Sequence, residues 1–338
     1  MGLLFYISRR VLSGIGVIFG VLTLVFIITK LIPQDPVAVF LGIEGMRDPA
    51  LVKQVTEQWK LDRPIWEQYI YYVGNVLRGE FGRSSWSRGP VIQDLAARFP
   101  ATVELSVFAF IIAMCIAIPT GILSAVYRDR PIDHLSRVFS VIGISGPPFW
   151  WGILFLYIFY LILGFAGSGR LSEGMTPPPN VTGFYLIDSL LERRFDKFLD
   201  ALKHIFLPAL TLGIGATGFT SRLTRSALLE VLRKDYIKTA RIKGLKEHVV
   251  IYRHAMRNAL TAPVTYMGIL FGNMLGGSVL VETVFTWRGM GQYVVNAIFA
   301  ADYPAILATT LVITIIYTVS NLVVDILYTI IDPRVRVS

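Results

Sequence analysis

Residues 233–258, from Arg233 to Asn258, read Arg-Lys-Asp-Tyr-Ile-Lys-Thr-Ala-Arg-Ile-Lys-Gly-Leu-Lys-Glu-His-Val-Val-Ile-Tyr-Arg-His-Ala-Met-Arg-Asn and lie between two long apolar segments. Asp235 has the short acceptor side chain of an N-cap, and Gly244 suits a C′ position. Tyr236 to Lys243 is therefore predicted as a two-turn helix. A second helical stretch follows, with Val249, Tyr252 and Met256 at i, i+3 and i+7. From Arg222 to Arg257 there are ten Lys/Arg against three acids (Glu230, Asp235 and Glu247), so this segment carries +7 of the chain's +9. Two small basic helices joined at a glycine have the form of a part that seats in a groove of another protein. A plainer reading stands beside this one: a basic loop between membrane spans also obeys the positive-inside bias and touches anionic lipid.

The composition outside this stretch is that of a membrane protein. Of 338 residues 54% are hydrophobic and only 16% are charged. That is too apolar for an ordinary soluble enzyme, and the length accommodates about six spans with some extramembrane mass. The single cysteine, Cys115, lies in an apolar run. It allows no intramolecular disulfide, and no Cys/His cluster suggests a metal site. The basic balance fits membrane orientation better than nucleic acid, because the Lys/Arg concentrate in loops between spans.

Arg9 and Arg10 precede an apolar run from Val11 to Thr29 without a small-residue cleavage site after it, so residues 1–30 are read as a tail and a retained first span rather than a signal peptide. Residues 31–98 are polar and too long for a connection, which predicts a small ordered insert. Within it Ile65, Tyr69, Tyr72, Val73 and Val76 share one helical face, and Val91, Leu95 and Phe99 form an amphipathic turn leading to Pro100. The insert is read either as a partner-docking element or as an interfacial helix pair on lipid. Residues 99–338 then form the transmembrane domain, with spans at 101–126, 136–164, 204–221, 260–284 and 305–328. The basic segment 230–258 lies between the fourth and fifth spans.

Three details of the spans carry physical weight. Gly146-Pro147-Pro148-Phe149-Trp150-Trp151 must break or kink the third span, because consecutive prolines remove donors and clash with the preceding turn. Gly213, Gly215, Ala216 and Gly218 in the fourth span permit close helix approach. Gly268, Gly272 and Gly276 repeat the Gly-x-x-x-Gly spacing in the fifth. With Arg9, Arg10, Arg128, Arg130, Arg137, the ten of the central segment, Arg334 and Arg336 inside, seventeen of the 32 Lys/Arg fall in about a quarter of the chain. Both termini are therefore expected in the cytoplasm and the 31–98 insert outside.

The string Asp235-Tyr236, Thr239-Ala240, Lys243-Gly244-Leu245, then Arg253-His254-Ala255 and Arg257-Asn258 resembles the cytoplasmic coupling segment of ABC-importer permeases. The likeness is closest to the B-type subunit of the dipeptide/oligopeptide/nickel branch. In the wider superfamily this segment reads Glu-Ala-Ala, three residues, then Gly. Here Lys238, Thr239 and Ala240 hold those positions, so only Ala240 and Gly244 fit the general form. The peptide branch departs in the same way. Further likeness lies in Pro33-x-Asp35-Pro36, Arg98 to Leu105, Pro147 to Gly152, Glu282 to Trp287 with Gly289 and Gly291, Asp302-Tyr303-Pro304, and Asp325 with Asp332-Pro333-Arg334. Together these cover nearly the whole length.

The resemblance implies an all-α polytopic protein of the type I ABC importer permease architecture, multi-pass in the cell inner membrane. It implies a second permease of related sequence, two ATPase subunits that bind ATP and Mg, and an extracytoplasmic solute-binding protein. Di- or oligopeptides are the implied cargo, with nickel chelates or oligosaccharides as alternatives. Asp235, Tyr236, Thr239, Ala240, Lys243, Gly244 and Leu245 are expected at the ATPase interface. Pro147, Pro148, Phe149, Trp150, Gly276, Gly277 and Glu282 are expected on the translocation path or its gate.

The chain has no Gly-x-x-x-x-Gly-Lys-[Ser/Thr] of its own, no Gly-x-Ser-x-Gly and no His-Glu-x-x-His. No catalytic, cofactor or metal residue is therefore expected. The rival reading is an ion-coupled carrier. Its spans would need charged relays or paired broken helices, and only Glu104, Glu282 and Asp325 lie near span ends. A purely structural membrane protein is the third reading. ATP dependence separates the first reading from the other two, and uptake separates the second from the third.

Overall fold

The computed structural model describes residues 3–31, 37, 41, 45–165 and 167–331. The Pro33-x-Asp35-Pro36 element, Asp332-Pro333-Arg334 and Arg336 lie outside the described residues, as does the side chain of Asp325.

The described chain is helical, with no named strand and one isolated bridge, Arg83 to Pro90. α1 is Leu3–Leu31, α2 Pro49–Trp59 and α3 Ile65–Leu77. α4 is Val91–Val126, α5 Pro131–Ser145, and α6 Pro148–Phe155 with a π-helical extension Leu156–Ile162. α7 is Tyr185–Leu191, α8 Phe195–Val231 and α9 Asp235–Ile242. α10 covers 247–259, with a π-helical middle Val250–Ala255. α11 is Thr261–Gly277, α12 Val279–Val284, α13 Met290–Phe299 and α14 Tyr303–Ile331.

Four of these contain segments long and apolar enough to cross a membrane: Ser8–Ile28, Val91–Val126, Phe195–Val231 and Tyr303–Val324. α5 and α6 make a fifth as one broken span, bent by 107°. The fifth expected span, 260–284, is instead the 17-residue α11, a break at Ser278 and the short α12.

The bend between α5 and α6 follows from the sequence. A residue before proline is driven to extended backbone, and both Gly146 (ψ 143) and Pro147 (ψ 145) adopt it. Pro148 then opens α6 at a position where its missing N–H costs nothing.

α4 and α8 form the centre and run parallel. Gly213 lies beside the Ala109 carbonyl, and Gly121 beside the Ser221 carbonyl. A Cβ on Gly121 would stand 2.6 Å from that oxygen, so the two backbones approach as only small residues permit. α5 packs antiparallel on α8, with Gly218 against the Ser140 carbonyl and Gly143 against that of Ile214. The Gly-x-x-x-Gly face of α11 packs antiparallel on α14, where Gly268 meets Val324 and Gly272 meets Asn321. α1 lies antiparallel on α14 through Gly14 against Thr318 and Leu22 near Leu311. α1 therefore begins, and α14 ends, at the same end of the bundle as α9.

Three expectations are revised. First, the apolar turn at Val91 and Leu95 is not separate from the second span. α4 runs unbroken through Pro100, because Val91 and Leu95 are buried against Met290, Tyr293 and Ala297 of α13. Burying two such side chains is worth about 3–6 kcal/mol, enough to offset the roughly 3 kcal/mol that an internal proline costs. Second, the helix that contains the expected fourth span runs well beyond 204–221, as α8. Third, the α3 face is narrower than expected. Tyr69, Tyr72, Val73 and Val76 face α1, with Tyr69 Oη and Thr23 Oγ1 2.6 Å apart, but Ile65 is 65% exposed.

Candidate functional site

α9 hangs from the C-terminal ends of α4 and α8. Its inward residues, Ile237 and Ala240, are buried in a cluster with Ile122 and Ala125 of α4, Leu228 of α8, and Val250, Ala255 and Ala259 of α10. The cluster turns a short helix, marginal alone, into a fixed projection. Asp133 braces the ends of the three helices behind it. It accepts two hydrogen bonds of 2.8 Å from Arg225 of α8 and one of 2.6 Å from Ser124 of α4.

The outer face of α9 is exposed. Asp235, Tyr236, Thr239, Lys243, Gly244 and Leu245 all lie on the surface. Ile242, absent from the sequence expectation, is 85% exposed. An isoleucine so exposed at the end of a basic helix is an apolar knob without a cover in this chain. Ala240 is 7% exposed and faces inward, so it seats the helix rather than presenting it.

The cap is also shifted. Lys234, with extended backbone, occupies the N-cap, and Asp235 is the first helical residue. Its carboxylate accepts from Lys238 Nζ at 2.9 Å instead of capping, and that bond holds its pKa below the usual range.

Gly244 behaves as read. Its φ is +74°, and the helix ends with Gly244 N–H on the Arg241 carbonyl and Leu245 N–H on the Ala240 carbonyl. This pair of bonds is the Schellman arrangement. Arg241 then reaches across the turn to Glu247, with Nη2 2.6 Å and Nε 3.1 Å from the carboxylate oxygens. The charge-assisted bonds lower the Glu247 pKa and raise that of Arg241. Asn258 Nδ2 donates to Tyr236 Oη at 2.8 Å, tying α10 back to α9.

The second helix does not present Val249, Tyr252 and Met256 together. The π turn changes the period, so Val250, Ile251, Ala255 and Ala259 point inward while Tyr252 is 61% exposed. Nothing in an apolar count over so short a window distinguishes five-residue from four-residue spacing.

The residues expected on a path do not converge. Pro147, Pro148, Phe149 and Trp150 are exposed at the α5/α6 break. Gly152, just beyond, packs against Val284, Phe285 and Thr211, which brings α6 to the end of α12. Gly276 faces Tyr317 and Ile313 of α14, and Gly277 is placed only as the end of α11.

Glu282 is packed inside the chain. It is 0% exposed and accepts from Thr102 Oγ1 at 2.8 Å, Ser278 Oγ at 2.7 Å and the Gln292 amide at 3.0 Å. Trp287 Nε1 donates to the Ala101 carbonyl at 2.8 Å beside it. This knot ties α12 and α13 to α4. The sequence signal was Gly289 and Gly291, whose absent side chains leave room for the carboxylate.

At the end of the bundle opposite α9, two more buried acids were legible only as charges. Glu104 pairs with Arg170 at 2.6 Å, and Asp302 accepts from Ser84 Oγ at 2.5 Å and from the Ala305 amide at 3.2 Å, which caps α14. Among the described residues no group of three or more His, Cys, Asp or Glu could hold a metal ion.

Comparison with known proteins agrees along the whole length. Residues 117–337 match the model of the binding-protein-dependent transport system inner membrane component, and residues 3–106 match that of the corresponding N-terminal region. A probable D,D-dipeptide transport system permease protein, DdpB of Escherichia coli K12, is 44% identical over 330 residues, covering 97% of this chain and 96% of the relative. The di/tripeptide transport system permease protein DppB of Pseudomonas aeruginosa is 41% identical, covering 99% of both. A chain of the MetNI methionine ABC transporter, in inward-facing form, superposes at TM-score 0.47 and 17% identity over 68% of this chain and 94% of that one, too distant to carry an inference.

Proposed function

The chain belongs to the family of binding-protein-dependent transport system inner membrane components, and from that membership we propose that it is one permease half of an ATP-driven importer of di- or oligopeptides. The relatives' names support the peptide cargo. The chain itself carries no ATPase motif, so the energy comes from two partner ATPases holding ATP and Mg. A second permease of related sequence completes the path. An extracytoplasmic binding protein delivers solute at the end of the bundle opposite α9.

One observation carries the coupling role. α9 offers Tyr236, Ile242 and Leu245 outward while Ile237 and Ala240 root it in the ends of α4 and α8. A push on the exposed face therefore moves both central helices as a body rather than bending a loop. The ATPase contact consists of Asp235, Tyr236, Thr239, Ile242, Lys243, Gly244 and Leu245. The positive-inside bias puts that face in the cytoplasm, with residues 3 and 331 on the same side. Pro147 to Trp150, exposed at the broken span, are the elements of this chain offered to the path.

Expression with the genomic neighbours and purification through a tag on this chain tests the reading. Co-purification of a second permease and P-loop subunits, with ATPase activity stimulated by the peptide-loaded binding protein, is the expected result. A lone chain without an ATPase partner would sink it. A binding protein that carries nickel chelates or oligosaccharides would correct the cargo alone.

A further inference from the structure

An open cavity of about 490 Å³ lies between α4, α7 and α13 at the N-terminal end of α4. From Arg98 on its wall to Ile122 in the α9 cluster runs about 36 Å of continuous helix, so the cavity and the coupling segment sit on opposite faces of the apolar layer. Three guanidiniums line it, those of Arg98, Arg170 and Arg288, and no carboxylate does.

The acids stand one layer behind. Glu104 holds Arg170 at 2.6 Å, and Asp94 holds Arg98 loosely at 3.5 Å. Arg288 is exposed and forms no ion pair among the described residues. Arg170 is 9% exposed, yet its Nε has no hydrogen-bond acceptor. That Nε is itself enclosed, and Nη2 donates to Glu104 and to the Gly183 carbonyl, so Arg170 lends the cavity charge rather than a free donor.

The remaining wall suits a small organic anion. Arg170 stacks 3.4 Å over the Tyr185 ring centroid and Arg98 4.5 Å over that of Tyr293, which fixes both planar groups. Gln292 and Asn296 add amides one turn apart on α13. The volume is in the range of small-molecule sites, far more than one carboxylate side chain fills.

We propose that this cavity is a subsite for the terminal carboxylate of a short peptide, with Arg288 as the cation left free for it and the aromatic rings and amides as walls for the rest. The proposal rests on the peptide-importer reading. Converging cations at the entry end would also favour arrival of an anionic group.

The test uses the assembled permease–ATPase complex in nanodiscs, without binding protein. Dialanine, its C-terminal amide and propionate are titrated with saturation-transfer NMR as the readout. Dialanine is expected to bind, to be displaced by propionate, and to bind about tenfold more tightly than the amide, the scale of one charge-assisted pair. Arg288→Gln should abolish that preference and Arg288→Lys should retain part of it. Because Arg288 is exposed, both variants should keep the wild-type melting temperature, and a fall in it would be corrected by Asn296→Leu as a second wall variant. Equal binding of dialanine and its amide, or no response to Arg288→Gln, overturns the proposal. Propionate binding lost in Arg288→Gln without any dialanine binding would overturn the peptide assignment of the cavity alone; the importer reading falls only if no ATPase partner co-purifies.

Discussion

Arg241 and Glu247 face each other across the Gly244 turn, with the guanidinium 2.6 Å and 3.1 Å from the two carboxylate oxygens. The pair closes a loop whose only left-handed residue is Gly244, and so sets where α9 ends and α10 begins. Both side chains are substantially exposed, so the bond orients the turn more than it stabilises the protein.

Gly244 should matter through its backbone alone. Nothing lies within 4 Å of a Cβ placed there, but φ is +74°. Gly244→Val should cost about 1–2 kcal/mol locally and lower transport-coupled ATPase activity, and Gly244→Asn should cost less. Equal behaviour of the two variants in the reconstituted complex would refute a conformational role.

The Glu247 pair predicts a pH window. Its carboxyl is held below the usual range by Arg241, so its contribution is complete above the unfolded carboxylate pKa and is lost as pH falls through the folded one. Amide exchange across 241–247 should be slower in wild type than in Glu247→Gln at pH 7. The difference should vanish as pH drops below the ordinary carboxylate range, and it should shrink in high salt. A difference independent of pH would contradict the assignment.

Ile242 should be an interface residue and Ile237 a core residue of the same helix. Ile242→Ser is expected to weaken ATPase association about tenfold without lowering the melting temperature. Ile237→Ala should destabilise by about 2–5 kcal/mol. Detergent thermal shifts alongside co-elution of the ATPase separate the two, and the reverse pattern would invert the orientation of α9.

The Glu282 knot should be structural. Thr102→Val leaves a buried acceptor short of one donor and should cost about 1–3 kcal/mol. Gly289→Ala puts a Cβ 2.5 Å from Glu282 Oε2 and from Thr102 Oγ1, and should lower the melting temperature further. Wild-type stability with lost transport would return Glu282 to the path.

Helix approach gives a matched pair of substitutions. Gly121→Ala must push α4 from the Ser221 carbonyl, whereas Gly20→Ala in α1 meets nothing within 4 Å. The first should be destabilising by about 1–3 kcal/mol and the second neutral, as read by melting in detergent.

The amino-acid sequence by itself determined the local features. Consecutive prolines enforced the α5/α6 break, because a missing donor and a ring clash act within one turn. Gly244 marked its own turn, the Gly-x-x-x-Gly spacing marked the α11 face, and the uneven Lys/Arg set the basic segment apart. The family string of α9 was legible for the same reason, since its residues are adjacent in the chain. Only the tertiary structure decided which charges are buried and with what. Glu104 meets Arg170 sixty-six residues away, and Glu282 meets Thr102 across 180. It also decided that α4 passes through Pro100, because the stabilising contacts come from α13. It turned Ala240 inward and Ile242 outward, since one helix face is chosen by the cluster it packs on. Partners distant in sequence are brought together by the packing of helices, and no local pattern encodes which ones meet.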